Sequence, residues 1–449
     1  MWSTSGAPMT RRRFLVTSAG AAAAVTGGGL LSGCAGSVSG GSSGGGNKTL
    51  TIMIGTTELG LPAEIKAAEK ALGFNINIVK YDITRLTAMI TAGSPPDLVR
   101  GMGAVDTPYL AAHGIAQDLD DYFAKSSVIK VSDLDPVNDV WRYDGKKQGT
   151  GPRYGMVKDY SQDSMIWYNT ALFDQANESY PSDTIPLTYD ELFEKGKRLT
   201  QSGKKTKVYG WSYAGNTQNF MSMFASLGGS LFTDDFSAVD YSSPEGIKIL
   251  TWYLKLAKSG MTPTVVNPDP NGWDWPNFDA NRIAVATDGY WFGGSVNSDK
   301  KIAAISRFAP APQFGTKRTS SCYSATGLWM PKAGKNKELA WQAFEYFLGG
   351  VGAKTRAKNG TGIPGLKSLR PLLPQAEPFQ KQAYAVQQRE LPYFSVISFT
   401  PYAKWDALDA VVNQYLPAAI NGTVSAGKLA DQLNTGINKQ LSNNKKLIK

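Results

Sequence analysis

The 449 residues predict an α/β protein built as two domains or lobes. Three observations carry that expectation. The chain is longer than one hydrophobic core serves, so division into two bodies is the default at this length. Short β-rich runs alternate with helical patterns, an arrangement that yields parallel strands covered by helices. A hydrophobic share of 42% and a charged share of 19% suit an ordinary globular interior.

The elements follow in order. Thr49-Leu50-Thr51-Ile52-Met53-Ile54 is a β-rich run ended by Gly55. A helix spans Pro62 to Leu72, and Phe74 to Val79 alternates as a strand. Leu86 to Ile90 reads as helical and stops at Gly93-Ser94-Pro95-Pro96, after which Asp97-Leu98-Val99 is another short strand. The same alternation then recurs. Ser164 to Tyr168 is strand-like, and Thr188 caps a helix whose capping box is completed by Glu191 and which ends near Gln201-Ser202-Gly203. Ser243 caps the next helix, with Ile247, Leu250, Leu254 and Ala257 along one face. Arg282 to Thr287 is a strand leading into Asp288-Gly289-Tyr290-Trp291. Lys337 to Leu348, Ala407 to Ile420 and Ser425 to Leu441 are helical.

Ahead of these elements lies a different kind of sequence. Arg11-Arg12-Arg13-Phe14-Leu15 is a charged start, followed by an apolar run of about 13 residues from Ala19 to Leu31. A charged region, a short apolar region and small residues before a cleavage point are the parts of an export signal. The run is too short and too interrupted by glycine to span a bilayer, which takes ~20 apolar residues. Leu31-Ser32-Gly33-Cys34 resembles a bacterial lipobox, in which the cysteine becomes the lipidated first residue of the mature chain. The arginine pair before Phe14-Leu15 resembles a twin-arginine signal. Residues 1–33 are therefore expected to be a signal peptide, and residues 34–47 a lipidated cysteine with a flexible Gly/Ser linker.

Composition excludes several functions. The formal charge of +10 falls to +7 once residues 1–33 are removed, and no run of five or six like charges suggests a nucleic-acid tail. With Cys34 lipidated, Cys322 stands alone and reads as a buried, inert thiol. His113 is the single histidine; it precedes Gly114 and reads as the C-terminal residue of a helix next to its glycine cap. No metal-ligand cluster is therefore expected, and His113 would be the sole base for nucleophilic catalysis. Neither a phosphate-binding loop nor a dinucleotide fingerprint is present. No cofactor is expected.

Several segments together resemble the sugar-binding, maltose-binding type of extracellular solute-binding proteins of bacterial ATP-binding-cassette importers. They are Gly93-Ser94-Pro95-Pro96-Asp97-Leu98-Val99, Gly114-Ile115-Ala116-Gln117-Asp118-Leu119-Asp120, Tyr168-Asn169 with Leu172-Phe173, and Pro186-Leu187-Thr188-Tyr189-Asp190-Glu191-Leu192. Two more follow: Arg282-Ile283-Ala284-Val285 before Gly289-Tyr290-Trp291, and Gly327-Leu328-Trp329-Met330-Pro331-Lys332 before Asn336-Lys337-Glu338-Leu339-Ala340-Trp341. At one point this chain departs from the pattern, with Asn281-Arg282 where the family has Gly-Lys. The resemblance implies a type II periplasmic-binding-protein-like fold, with a ligand cleft between lobes joined by crossover hinges. It places residues 48–160 and 311–362 in one lobe, and 161–310 and 363–449 in the other.

A sugar presents C–H faces that stack on aromatic rings and hydroxyls that pair with acids and amides, so its site combines both residue types. The resemblance implies Trp291 as a cleft tryptophan; the alternative is an aromatic closing the strand. Tyr290 beside it is open between the same two readings. Trp273 and Trp275 stand in a Pro/Gly-rich loop without periodicity, where they either stack on ligand or pin the loop to its lobe. Glu58 follows the first strand, a position from which the family contacts ligand; otherwise it is a solvated acid at a helix start. Asp82 and Arg85 follow the second strand and either contact ligand or pair with each other. Asp159 and Tyr160 occupy the first crossover facing the cleft. Gln218 lies beside Asn216 and Asn219 at a helix start, where one residue serves as N-cap. Tyr402 and Trp405 begin a late helix whose family counterpart carries stacking aromatics.

The reading that results is a membrane-anchored, monomeric binding protein that captures a mono- or oligosaccharide by cleft closure. It hands the solute to the transmembrane subunits of a permease, and it contacts the membrane through Cys34. The rival classes are a secreted carbohydrate-active enzyme, which needs a pair of carboxylates about 5–9 Å apart, and an envelope adhesion lipoprotein.

Overall fold

The computed structural model describes residues 48–203, 207–269 and 272–448. The expected export signal, Cys34 and the Gly/Ser linker lie outside the described residues. The first sheet is assembled from alternating elements: β1 (Thr49–Met53), α1 (Pro62–Leu72), β2 (Asn75–Val79), α2 (Ile83–Thr91), β3 (Leu98–Met102) and α3 (Gly103–Ala112). Local signals fix the helix ends. Pro62 sits in the first turn of α1, which closes on Gly73 at φ +76°. Asp82 caps α2 by accepting the N–H of Arg85 at 2.7 Å. His113 is the C-cap of α3, followed by Gly114 in the left-handed region.

Strand order in this sheet is β2-β1-β3, then Thr326–Trp329, then Gly155–Val157. The first three run parallel and the last two antiparallel. One buried side chain governs that antiparallel half. Trp141 lies against Gly101, Gly103, Gly155 and Gly327, where an added Cβ would fall 2.4–3.0 Å from its ring. Only glycine lets the indole this close to three adjacent backbones.

The second sheet departs from expectation. Ser306–Ala309, Ile166–Asn169 and Val285–Thr287 pair antiparallel throughout, whereas helix–strand alternation predicts parallel strands. The parallel contacts in this lobe include the isolated bridges of Tyr209 with Ile283, Ser212 with Ala286 and Thr188 with Gln313. Strand direction depends on which edge the chain re-enters from, and residue periodicity does not encode that. Helices cover this sheet as the pattern predicts. The Thr188–Glu191 capping box opens Tyr189–Leu199, and Ser243 caps Pro244–Lys258. Phe220, Tyr241 and Tyr253 pack with Leu408, Val412, Leu433 and Ile437 of the last two helices, Trp405–Ile420 and Ala426–Lys445. Helix Lys337–Leu348 joins the first sheet, where Ala340, Phe344 and Phe347 meet Leu50, Ile52 and Leu98.

The connections between the two lobes are themselves paired. Asp159–Tyr160 pairs with Ile363–Pro364, and Ser320–Cys322 pairs with Phe394–Val396. Residues on either side of them adjust the expected division. Gln313 bridges Thr188, and Phe314 stacks on Tyr189 at 4.6 Å, so both pack with the second sheet's lobe, not the first. Ser368 donates to Asp133, and Leu366 and Leu369 sit in the first lobe's core, beyond the expected edge at 362. Both displacements follow from side-chain packing that segment boundaries alone do not reveal. Among the described residues, no helix is long and apolar enough to cross a membrane.

Gly155→Ala forces a methyl group into the Trp141 ring and is expected to cost about 1–3 kcal/mol. A lower denaturant midpoint at unchanged slope in a circular-dichroism titration checks this.

Candidate functional site

The crossovers and strand ends bring three carboxylates together. Asp163, in the first crossover, is 1% exposed. It accepts the backbone N–H of Tyr323 and of Ser324 at 2.9 Å each, and the Ser324 hydroxyl at 2.8–2.9 Å. Burial pushes its carboxyl up to about 6, against the pull of these hydrogen bonds. Asp274 accepts the Ser212 hydroxyl at 2.7 Å; burial, reinforced by the charge of Asp269, raises it to about 6 as well. Asp288 follows Val285–Thr287 and is only half-buried, yet desolvation and then the charges of Asp274 and Asp163 push it well above the usual carboxylate range. Asp163, Asp288 and the Tyr323 hydroxyl all feel one another's charge. The cluster sits where Ser212 and Thr287 end their segments, the place where α/β sheets offer ligand sites.

The loop carrying Asp288 is clamped to the crossover. A Cβ on Gly289 would fall 2.4 Å from the Cβ of Ser161, so only glycine fits. The Trp291 N–H donates to the Ser161 hydroxyl at 2.9 Å, and the Trp167 indole donates to the Gly289 carbonyl at 3.0 Å. Trp291 stays half-buried, its ring edge-on to Phe292.

A second polar group lies in the first lobe. Glu58 accepts the Arg100 guanidinium at 3.1 Å and lies 4.0 Å from the Lys158 ammonium. Burial raises the Glu58 carboxyl, but the two cations and their hydrogen bonds outweigh it, so it lies below its ordinary value. Arg100 also lies over the Tyr81 ring. Asp106 in α3 accepts the Met102 N–H at 2.7 Å through Oδ2, while its buried Oδ1 has no partner among the described residues. Burial raises its carboxyl against the charges of Lys404 and Arg100, with Asp406 adding to the rise. Asp406, in the first turn of Trp405–Ile420, likewise has a buried Oδ1 without a partner among the described residues. A groove of about 720 Å³ opens at this seam, between Ile83, Thr84, Thr87 and Thr91 of α2 and Asp406.

The residues nominated from sequence separate into groups. Glu58 is in the first-lobe group, paired with cations and not a freely solvated acid. Asp159 pairs with Lys158. Asp82 and Arg85 are exposed, and they meet through the helix cap, not an ion pair. Tyr160 and Tyr290 are buried in the core, 2% and 4% exposed; the Tyr160 hydroxyl is taken by Asp135 and Arg370, and Tyr290 packs edge-on to Phe308. Both rings are packed within the protein. Gln218 is buried at the start of Thr217–Leu227, which Asn216 caps, and its Oε1 has no partner among the described residues. Trp275 packs edge-on to Phe292 as a loop anchor, while Trp273 is 46% exposed. Tyr402 lies under the Lys445 ammonium, and Trp405 packs against the second-lobe core at the helix start. Asp163, Asp274, Tyr323, Asp106 and Asp406 were not nominated. They stand on five separate segments, and only Asp288, next to the quoted Gly289-Tyr290-Trp291, had a local signal.

Among the described residues, no group of three or more histidine, cysteine or acidic side chains could hold a metal ion. Cys322 is fully buried beside Asp163, and burial, then that charge, pushes its thiol well up.

A two-lobed α/β body with its polar groups gathered at the interlobe seam defines a solute-binding protein. The chain belongs to the bacterial extracellular solute-binding protein family, whose model matches residues 41–350. Its fold is shared with an ABC substrate-binding protein of Listeria monocytogenes solved with cycloalternan: TM-score 0.73, 22% identity, 88% of this chain and 98% of that one. It is similar also to a Thermotoga lettingae solute-binding protein bound with α-D-tagatose (TM-score 0.72, 23% identity, 88% and 100% covered). Maltose-bound MalE3 of T. maritima gives TM-score 0.68 at 18% identity, with 88% and 99% covered. No protein of curated function matches the chain in sequence.

Because the folded carboxyl of Asp288 lies above its unfolded value of ~4, the stability it contributes is present below that pH and is lost as pH rises through the folded value. Asp288→Asn is therefore expected to melt higher than wild type at neutral pH. The difference should shrink toward pH ~4, as melting curves across that range will read.

Proposed function

We propose that the protein captures a carbohydrate in this seam and releases it to the transmembrane subunits of an ABC permease. The carrying observation is the convergence of Asp163, Asp274 and Asp288 with Tyr323, on the loop that carries Trp291. Carboxylates accept hydroxyl protons in charge-assisted hydrogen bonds, and a half-buried indole offers a face for sugar C–H groups. Sugar-bound proteins of the same fold support this reading. The lobes are proposed to be 48–160 with the segment from about 320 to 373, and 161–319 with the remainder, rocking about the paired crossovers. Closure then places first-lobe groups on a ligand already held by the second.

Tethering at a lipidated Cys34 belongs to the same proposal, as do export as a signal-bearing precursor, by the twin-arginine route, and a monomeric state. A tether holds the loaded protein near its permease. Cys34→Ser is expected to move the protein from the membrane fraction to the medium, as cell fractionation will show.

Thermal shift over a carbohydrate library tests the central claim. A bound sugar at 100 times its dissociation constant should stabilise by ~2.7 kcal/mol. Trp291→Ala is expected to weaken that binding about fivefold, since one lost stacking partner is worth ~1 kcal/mol. Sugar binding should also reduce the radius in small-angle scattering. The rival enzyme reading predicts cleaved product on incubation with oligosaccharides; intact ligand after prolonged incubation sets it aside.

A further inference from the structure

Among the described residues, Trp273 is the only tryptophan that stands exposed; the others are buried or half-buried. Its exposure is not for want of local structure. Thr264 and Asn267 exchange backbone hydrogen bonds at 3.0 Å each, and the Gly272 N–H donates to the Asp269 carbonyl at 3.1 Å. The fully buried Asn277 amide donates to the Asp269 carboxylate, which ties the loop to the helix Trp275–Asp279. Gly272 takes φ +75°, a left-handed turn that glycine makes without steric cost directly before the indole. Val265 and Val266 of the same loop are exposed as well. An indole held out by a hydrogen-bonded loop forgoes the stabilisation that burying so large an apolar side chain brings. Loops positioned in this way on a rigid body are where binding residues concentrate.

The next two residues connect this indole to the candidate site. Asp274 accepts the Ser212 hydroxyl at 2.7 Å and acts on Asp288 through its charge. Trp275 packs edge-on to Phe292 with ring centroids 5.7 Å apart, and Phe292 meets Trp291 at the same separation. The exposed indole is thus one peptide unit, about 3.8 Å between Cα atoms, from a hydroxyl acceptor of the site. Two ring contacts then fix its neighbour Trp275 relative to Trp291. Aromatic platform, carboxylate acceptor and second platform lie along one continuous piece of structure. A chain of sugar rings has the matching alternation, with C–H faces separated by hydroxyls. Resting on the carbohydrate reading of this seam, we propose that Trp273 forms an outer subsite and that the captured solute is an oligosaccharide. One ring sits at Trp291, hydroxyls meet Asp274, and a further ring stacks on Trp273. Trp273 then selects for chain length, because a monosaccharide reaches the inner platform alone.

The test uses sugars of graded length, from one to five units, in gluco-, galacto- and manno- series. Titration calorimetry on the full mature chain reads each affinity. In the series that binds, the longer members are expected to bind about fivefold or more tighter than the monosaccharide. Trp273→Ala should remove that gain while leaving the monosaccharide affinity and the melting temperature of the empty protein unchanged. Trp273→Phe, which restores a ring, should recover most of it. A merely structural role for Trp273 would instead weaken every length alike, and that result overturns the inference. So does a monosaccharide that binds as tightly as its oligomers, or a Trp273→Ala protein that keeps the full gain with length; either leaves carbohydrate capture standing. Failure of every sugar at every length overturns carbohydrate capture, and this inference with it.

Discussion

The two lobes depend on what the Asp163 carboxylate does. It leaves the first crossover and gathers the backbone N–H groups of Tyr323 and Ser324 and the Ser324 hydroxyl, all on the second crossover. Two connections far apart in sequence thereby become one hinge. From Ser324 and Ala325 the chain meets the start of α3, whose Ala104 and Gly103 N–H groups donate to their carbonyls. Thr326–Trp329 then enters the first sheet against β3. Removing the carboxylate would orphan several buried donors together, which costs more than losing a single exposed pair.

That hinge carries an electrostatic burden. Asp163 holds its position at the expense of a carboxyl raised toward neutrality, and it raises Asp288 and Tyr323 in turn. Acids held in this state cost the fold stability that apolar residues there would not. The first lobe shows the contrasting solution. Glu58 is also surrounded by protein, but Arg100 and Lys158 hold it ionised. Asp106 in the same lobe lacks that compensation: its buried Oδ1 has no partner among the described residues, and burial raises its carboxyl.

How much of this was legible in the sequence follows from the range of each interaction. Capping is local, and so the Thr188–Glu191 box, the Ser243 cap and His113 beside Gly114 were readable from a few residues. The parallel strands β1, β2 and β3 come from consecutive strand–helix units and were readable too. Long-range choices were not. The strand Ile166–Asn169 pairs with Val285–Thr287 across more than a hundred intervening residues, and nothing in either run states its direction. The site shares that difficulty: Asp163, Asp274 and Asp288 meet only after two crossovers and a loop are in place. Tyr160 and Tyr290 meet the same limit, since an aromatic at a strand end looks the same whether it faces ligand or core. Their burial is decided by Arg370, Asp135 and Phe308, none of them adjacent in sequence.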